Sequence, residues 1–238
     1  MAKSWFEWNG TRCGEKHLWT EGAAQKIRPE ERAEHVVIPG RRGDLTKTEG
    51  EKIYNSYIQT LTIITDTRGH ADEAERWLSG EGWITFSSDP ERKQRARVIG
   101  AVSLNRYSRN LDYWSGEVQF YCDPEKAALT EPADVTLNSA GTVSNGGDYP
   151  ALPKITVTCP INDSVLITVG GKAFTVELAE TGLSGCVIDS AAEIVTSPDG
   201  TVNLTGRSDG DFPVLPAGSS MVDGEWTKLV IKKRERYL

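Results

Sequence analysis

The sequence predicts a mainly β protein: an α+β domain with a single helix, followed by a β-sandwich. Three observations predict it. In the first half, segments rich in β-branched and aromatic residues alternate between apolar and polar, the pattern of half-buried strands. Only one segment there has helical periodicity. In the second half, short strands recur every 8–12 residues with turn signals between them, the spacing of a sandwich. The chain has 238 residues. That length accommodates two small domains, placed at 1–128 and 129–238.

Along the first domain, Trp5-Phe6-Glu7-Trp8 reads as a short strand ended by Asn9-Gly10, a tight-turn signal, with a second strand near Lys16–Trp19. Glu34–Gly40 reads as a strand stopped by Pro39-Gly40. It leads into Arg41-Arg42-Gly43-Asp44, a loop whose glycine permits positive φ and whose arginines are displayed. Tyr54–Thr65 reads as a long strand. His70–Leu78 is the helix: its early acidic residues suit the N-terminal dipole, and Ala74, Trp77 and Leu78 form one apolar face. Ser79-Gly80 ends it. Gly82–Phe86, Arg95–Val102 and Tyr113–Cys122 read as further strands, with Asp89-Pro90-Glu91-Arg92 as a turn and Asp123-Pro124 as a stop.

Thr130–Gly147 reads as a hinge followed by a turn, rich in Pro, Asn, Ser and Gly. The sandwich strands are then Lys154–Cys159, Ser164–Val169, Ala173–Leu178, Gly185–Asp189, Glu193–Thr196 and Lys228–Lys233. Asp209-Gly210-Asp211 reads as a polar loop, because it lacks the ligand spacing of a calcium loop.

Charge narrows the function classes. The net charge is −7. A general affinity for nucleic acid or anionic membrane is disfavoured, since both need clustered Lys and Arg. Residues 125–227 hold 4 basic and 14 acidic residues, whereas 228–238 hold 5 basic and one acidic. This basic end has two readings: a charged edge strand guarded against aggregation, or a contact with an acidic neighbour such as another copy of the chain. No segment approaches the roughly 18 consecutive apolar residues of a membrane span, and the N-terminus lacks a signal-peptide core, so synthesis in a cytoplasm is expected.

No chemistry is legible. There is no GxSxG, P-loop, HExxH or helix-opening GxGxxG. Cys13, Cys122, Cys159 and Cys186 form no CxxC pair, and His17, His35 and His70 do not complete a zinc set. The expectation is four reduced packing cysteines, with a disulfide between two of them left open. No catalytic residue, metal or cofactor is expected, and the chain is read as a non-enzyme. Six of seven tryptophans (Trp5, Trp8, Trp19, Trp77, Trp83, Trp114) lie in the first domain and read as core anchors; Trp226 stands alone in the second. The alternative function is a carbohydrate-binding module or glycan-active protein with a sandwich domain.

Several segments in order resemble a known family. Phe6–Gly10, Val36–Leu45, the helix with Trp77-Leu78, and Phe120-Tyr121-Cys122-Asp123-Pro124 resemble the first domain of distal tail (Dit) proteins of long-tailed phages infecting Gram-positive bacteria. Gly185–Asp189, Phe212–Gly218 and Leu229–Leu238 resemble their second domain. The resemblance implies a tail-tube-like first domain, a sandwich or split barrel that builds a homohexameric ring, and a galectin-like sandwich as the second. It implies a virion tail-tip protein joining the tail tube protein to the tail-tip (tail-associated lysin) protein and to receptor-binding or baseplate proteins. DNA would pass through the channel without specific binding, and no membrane is involved. Within that picture Arg41, Arg42, Gly43 and Asp44 are the candidate interface, as a subunit or channel contact rather than a plain solvated turn.

Overall fold

The computed structural model describes residues 4–48, 53–107 and 112–238. Met1–Lys3, part of the N-terminal reading, lie outside the described residues. The chain divides into two compact units, one up to Leu129 and one over Thr130–Tyr237.

The first unit is built on one antiparallel sheet. Its elements are β1 (Phe6–Trp8), β2 (Thr11–Arg12), β3 (Trp19–Thr20), β4 (Ala33–Val36), β5 (Leu45–Thr48), β6 (Tyr57–Thr65), helix α1 (Arg68–Trp77), β7 (Glu81–Phe86), β8 (Asp89–Ile99), β9 (Asn105–Arg106) and β10 (Trp114–Ala128). The order is β2-β1-β7-β8-β10-β6-β3, with β9 beside β10 and β4-β5 forming a separate two-stranded sheet. Residues that alternate along β6 and β10 reach the interior, where Leu61, Ile63, Val118 and Phe120 are buried with Phe6, Trp8, Leu18 and Ile84. Helix α1 closes this core with Ala71 and Ala74, and Trp77 stacks on Phe6 at 5.8 Å between ring centroids.

Four local expectations are corrected. The partner of β1 is β2, not a strand near Lys16–Trp19: Asn9 (φ 51) and Gly10 (φ 80) make a two-residue turn that pairs Trp8 with Thr11 at once. Cys13–Lys16 is instead a 3-10 turn, stabilised by the Arg12 N–H donating to Glu15 Oε1 at 3.1 Å. Helix α1 starts two residues early, because Thr67 caps it by accepting the His70 N–H; its first turn holds no acid, and Glu73 pairs with Lys16 at 2.8 Å. Asp89–Arg92 begins β8, with the turn made by Ser87-Ser88. β10 runs past Asp123-Pro124 through a register shift between Cys122 and Lys126, and such an irregularity tolerates a proline that cannot donate.

The second unit is a sandwich of two five-stranded antiparallel sheets. Its strands are β11 (Val135–Leu137), β12 (Gly141–Asn145), β13 (Lys154–Thr158), β14 (Val165–Val169), β15 (Lys172–Val176), β16 (Gly185–Asp189), β17 (Ile194–Thr196), β18 (Ser208–Gly210), β19 (Gly218–Glu225) and β20 (Lys228–Lys232). The sheets run β11-β20-β13-β16-β17 and β12-β19-β14-β15-β18. Their inner faces share one core, in which Ile155, Val157, Ile167, Phe174, Ile188, Val222, Leu229 and Ile231 are buried.

Here too there are corrections. The segment read as hinge and turn contains β11 and β12, and Asp209-Gly210 lies in β18 rather than a loop. The basic β20 is not an edge: it lies between β11 and β13. Its end is matched within the unit, Lys232 to Glu131 at 2.5 Å and Arg234 to Asp189 at 2.6 Å. The four cysteines are free and buried, and burial pushes the Cys122 and Cys186 thiols up to about 12, out of the nucleophilic range.

Candidate functional site

The strongest candidate surface is the β4-β5 hairpin. Val36 pairs with Leu45, His35 with Thr46, and Glu34 with Lys47. Across the middle pair, Thr46 Oγ1 and His35 Nδ1 are 3.2 Å apart. The base is zipped by the Arg32 N–H donating to the Ile53 carbonyl at 2.7 Å and the Asn55 N–H to the Glu30 carbonyl at 2.8 Å. At the tip the Arg41 N–H donates to the Ile38 carbonyl at 3.1 Å, and Gly40 and Gly43 take φ of 85° and 79°. Those glycines let the chain reverse without steric cost.

The hairpin makes no part of the first unit's buried core. Its apolar side chains face solvent: Val37 is 74% exposed, and Val36, Ile38 and Leu45 are exposed as well. A lone two-stranded hairpin is marginal in water, and an exposed apolar cluster marks a contact surface. The predicted residues Arg41, Arg42, Gly43 and Asp44 all lie at its exposed tip. Among the described residues, neither arginine has an ion-pair partner. The loop was thus located by its Pro-Gly and Gly-Asp signals, whereas the apolar residues beside it were read as an ordinary strand. No sequence signal sets them apart, because a short unbroken apolar run such as Val36-Val37-Ile38 reads equally as a buried strand.

A second surface is the outer face of the main sheet. Two tryptophans expected in the core are exposed instead, Trp19 at 38% and Trp83 at 39%. Trp83 alternates with the buried Ile84, so its side chain must face outward. Arg95 and Lys93 lie over its ring at 5.6 and 5.2 Å, and Arg97 reaches Glu81 at 3.5 Å. Tyr121 and Ile58, adjacent on the next strands, are also exposed.

Among the described residues the titratable groups do not assemble a reaction centre. Among the described residues no group of three or more His, Cys, Asp or Glu is placed to hold a metal ion. His17 and His70 stack at 4.0 Å, and His70 Nδ1 lies 2.6 Å from Asp66 Oδ1, an interaction that holds the Asp66 carboxyl below its ordinary range. In the sandwich, Trp226 packs against the core rather than standing free as a sugar platform. No described helix is long and apolar enough to cross a membrane.

No family model and no curated sequence matches the chain. Solved structures do. The crystal structure of Dit from phage SPP1, described as a paradigm of the hub adsorption apparatus in Gram-positive infecting phages, superposes with a TM-score of 0.77 at 16% identity, covering 99% of each chain. A chain of the phage P2 baseplate in its activated conformation superposes with a TM-score of 0.51 at 5% identity, covering 100% of this chain and 99% of that one. The chain therefore has a Dit-like fold over its whole length.

Proposed function

We propose that the chain is a structural, non-enzymatic subunit of a phage tail tip, assembling as a ring of six copies that joins the tail tube to the baseplate and receptor-binding apparatus. The observation that carries this reading is the fold likeness to SPP1 Dit, which spans both units rather than one. A shared sandwich alone would be uninformative, because sandwiches serve many functions. Both units in the same order are a far narrower likeness.

The β4-β5 hairpin supplies the means of assembly. Ring closure needs a heterologous contact, in which one patch of a subunit meets a different patch of the next. The exposed Val36, Val37, Ile38 and Leu45 provide the apolar part, and Arg41, Arg42 and Asp44 the charged rim. Residues 1–128 form the ring in this account, and 129–238 face outward towards the tail-tip and receptor-binding proteins.

Gold-labelled antibody against the chain tests the location on intact virions. Label at the tail end distal to the capsid is the expected result. Label on the capsid, or on no virion, would overturn the reading.

A further inference from the structure

The two outer faces of the sandwich carry opposite charge. Side chains alternate between the shared core and solvent, so the pairing registers fix which residues share a face. On the β12-β19-β14-β15-β18 sheet, Glu225 lies across from Leu166, Leu166 across from Thr175, and Thr175 across from Asp209. Asp223 shares that face two residues before Glu225, opposite Thr168. Asp209, Asp223 and Glu225 are exposed, and among the described residues none has an ion-pair partner. Lys172, at the start of β15, is set against Asp211 at 3.9 Å.

On the other sheet, every outward charge of the adjacent strands β20 and β13 is a lysine. Lys154 lies across from Lys232, and Lys228 across from Thr158. The acids near this face are engaged or peripheral: Arg234 holds Asp189, Lys232 holds Glu131, and Asp134 and Glu193 precede the edge strands β11 and β17. Lys154 and Lys228 are exposed and, among the described residues, have no ion-pair partner. The spacings also agree. Four residues along β13 and one strand across separate Lys154 from Lys228, about 14 Å at ~3.3 Å per residue and ~4.8 Å per strand. Three strand steps separate Glu225 from Asp209, again about 14 Å. Between the charges lie half-buried apolar groups, Val187 and Val230 beside Thr156 on one face and Leu166 on the other.

We infer that the second units of two copies stack front to back, with Asp209 and Glu225 of one facing Lys154 and Lys228 of the next. The occupant is a second copy because both halves of the match, in sign and in spacing, lie on one chain. The contact uses none of the hairpin residues, so it goes beyond the ring and stands or falls apart from it. Exposed ion pairs contribute little, and such a face is small beside the roughly 800 Å² per partner of a stable complex. The contact is therefore weak and sensitive to salt.

The test is methyl nuclear magnetic resonance of the concentrated full chain, whose signals stay readable whether or not rings form. Raising the salt to about 1 M, where screening acts within ~3 Å, should move the methyl signals of Leu166 on one face and of Val187 and Val230 on the other. The core methyls of Ile155 and Ile167 should stay in place and report that each variant is folded. Asp209→Lys with Glu225→Lys, or Lys154→Glu with Lys228→Glu, should cut the response about tenfold by setting like charges together. All four substitutions in one chain exchange the signs of the faces and should restore it. If a reversal does not fold, Asp209→Asn with Glu225→Gln tests the loss with the smallest change of shape. No response, movement confined to one face, an undiminished response in a folded reversal, or no recovery in the fourfold variant would overturn the proposal.

Discussion

Arg234 grips Asp189 with both terminal nitrogens, Nη1 to Oδ1 at 2.6 Å and Nη2 to Oδ2 at 2.9 Å. This two-point pair ties the segment after β20 to the end of β16. It also explains why a basic chain end on an acidic body need not seek an outside partner. Arg234 holds a positive φ of 53°, a conformation that a non-glycine residue keeps only when its surroundings fix it.

Asp189→Asn should therefore destabilise the second unit by about 1–3 kcal/mol, read as a lower midpoint in urea. The Arg234 hydrogen bonds hold the Asp189 carboxyl below its ordinary range in the folded state. A depressed folded value contributes stability above the unfolded pKa of about 3.9, lost as pH falls through the folded value. The wild-type midpoint should thus drop on acidification below about pH 4. The Asn variant should drop less steeply; equal slopes would assign no role to this pair.

The hairpin should separate assembly from folding. Val37→Asp with Ile38→Asp should leave the subunit's unfolding midpoint within about 0.5 kcal/mol, because both side chains face solvent. Oligomers should be lost in light scattering. A matched pair, Arg41→Glu with Arg42→Glu, tests the charged tip; unchanged assembly would remove those arginines from the interface.

Phe120 should behave as the opposite kind of residue. It is fully buried, with ring centroids of Phe6, Trp8 and Phe86 at 5.7, 5.4 and 6.3 Å. Phe120→Ala should cost about 3–5 kcal/mol by equilibrium denaturation. Trp83→Ala, on the outer face of the same sheet, should cost about 1 kcal/mol or less. Comparable losses would contradict the assignment of the two faces.

Gly116 lies where β10 passes close to the backbone of Ser103. A Cβ there would overlap the Ser103 carbonyl oxygen. Backbone cannot yield as a flexible side chain can, so Gly116→Ala should destabilise by about 1–3 kcal/mol. A variant as stable as wild type, by thermal unfolding, would mean that β10 sits further from Ser103.

The elements that read clearly from sequence are those whose alternation and punctuation agree. Gly185–Asp189 is bounded to the residue, because its apolar Cys-Val-Ile run lies between Gly185 and Asp189-Ser190. Gly170-Gly171 (φ 56 and 85) makes the two-residue turn between β14 and β15, a position two glycines suit. Elements were missed where composition and role diverge. β19 carries Ser, Asp and Gly because only Ser220 and Val222 point inward, and its place between β12 and β14 comes from long-range pairing. Pro124 was read as a stop, yet the register shift accommodates it. Of the site, the Gly-rich tip at Arg41–Asp44 was legible as a loop. The exposure of Val37 and Ile38, which lie just past the end of β4, is not, since a short apolar run carries no mark of whether a core lies beside it.

The central claim is a closed ring, and negative-stain electron microscopy of the purified full chain tests it most directly. The account predicts ring-shaped particles with six-fold averages and a mass six times the 26.1 kDa of one chain. Particles that stay monomeric or dimeric at micromolar concentration, and that do not close into rings when the tail tube protein is added, would contradict it.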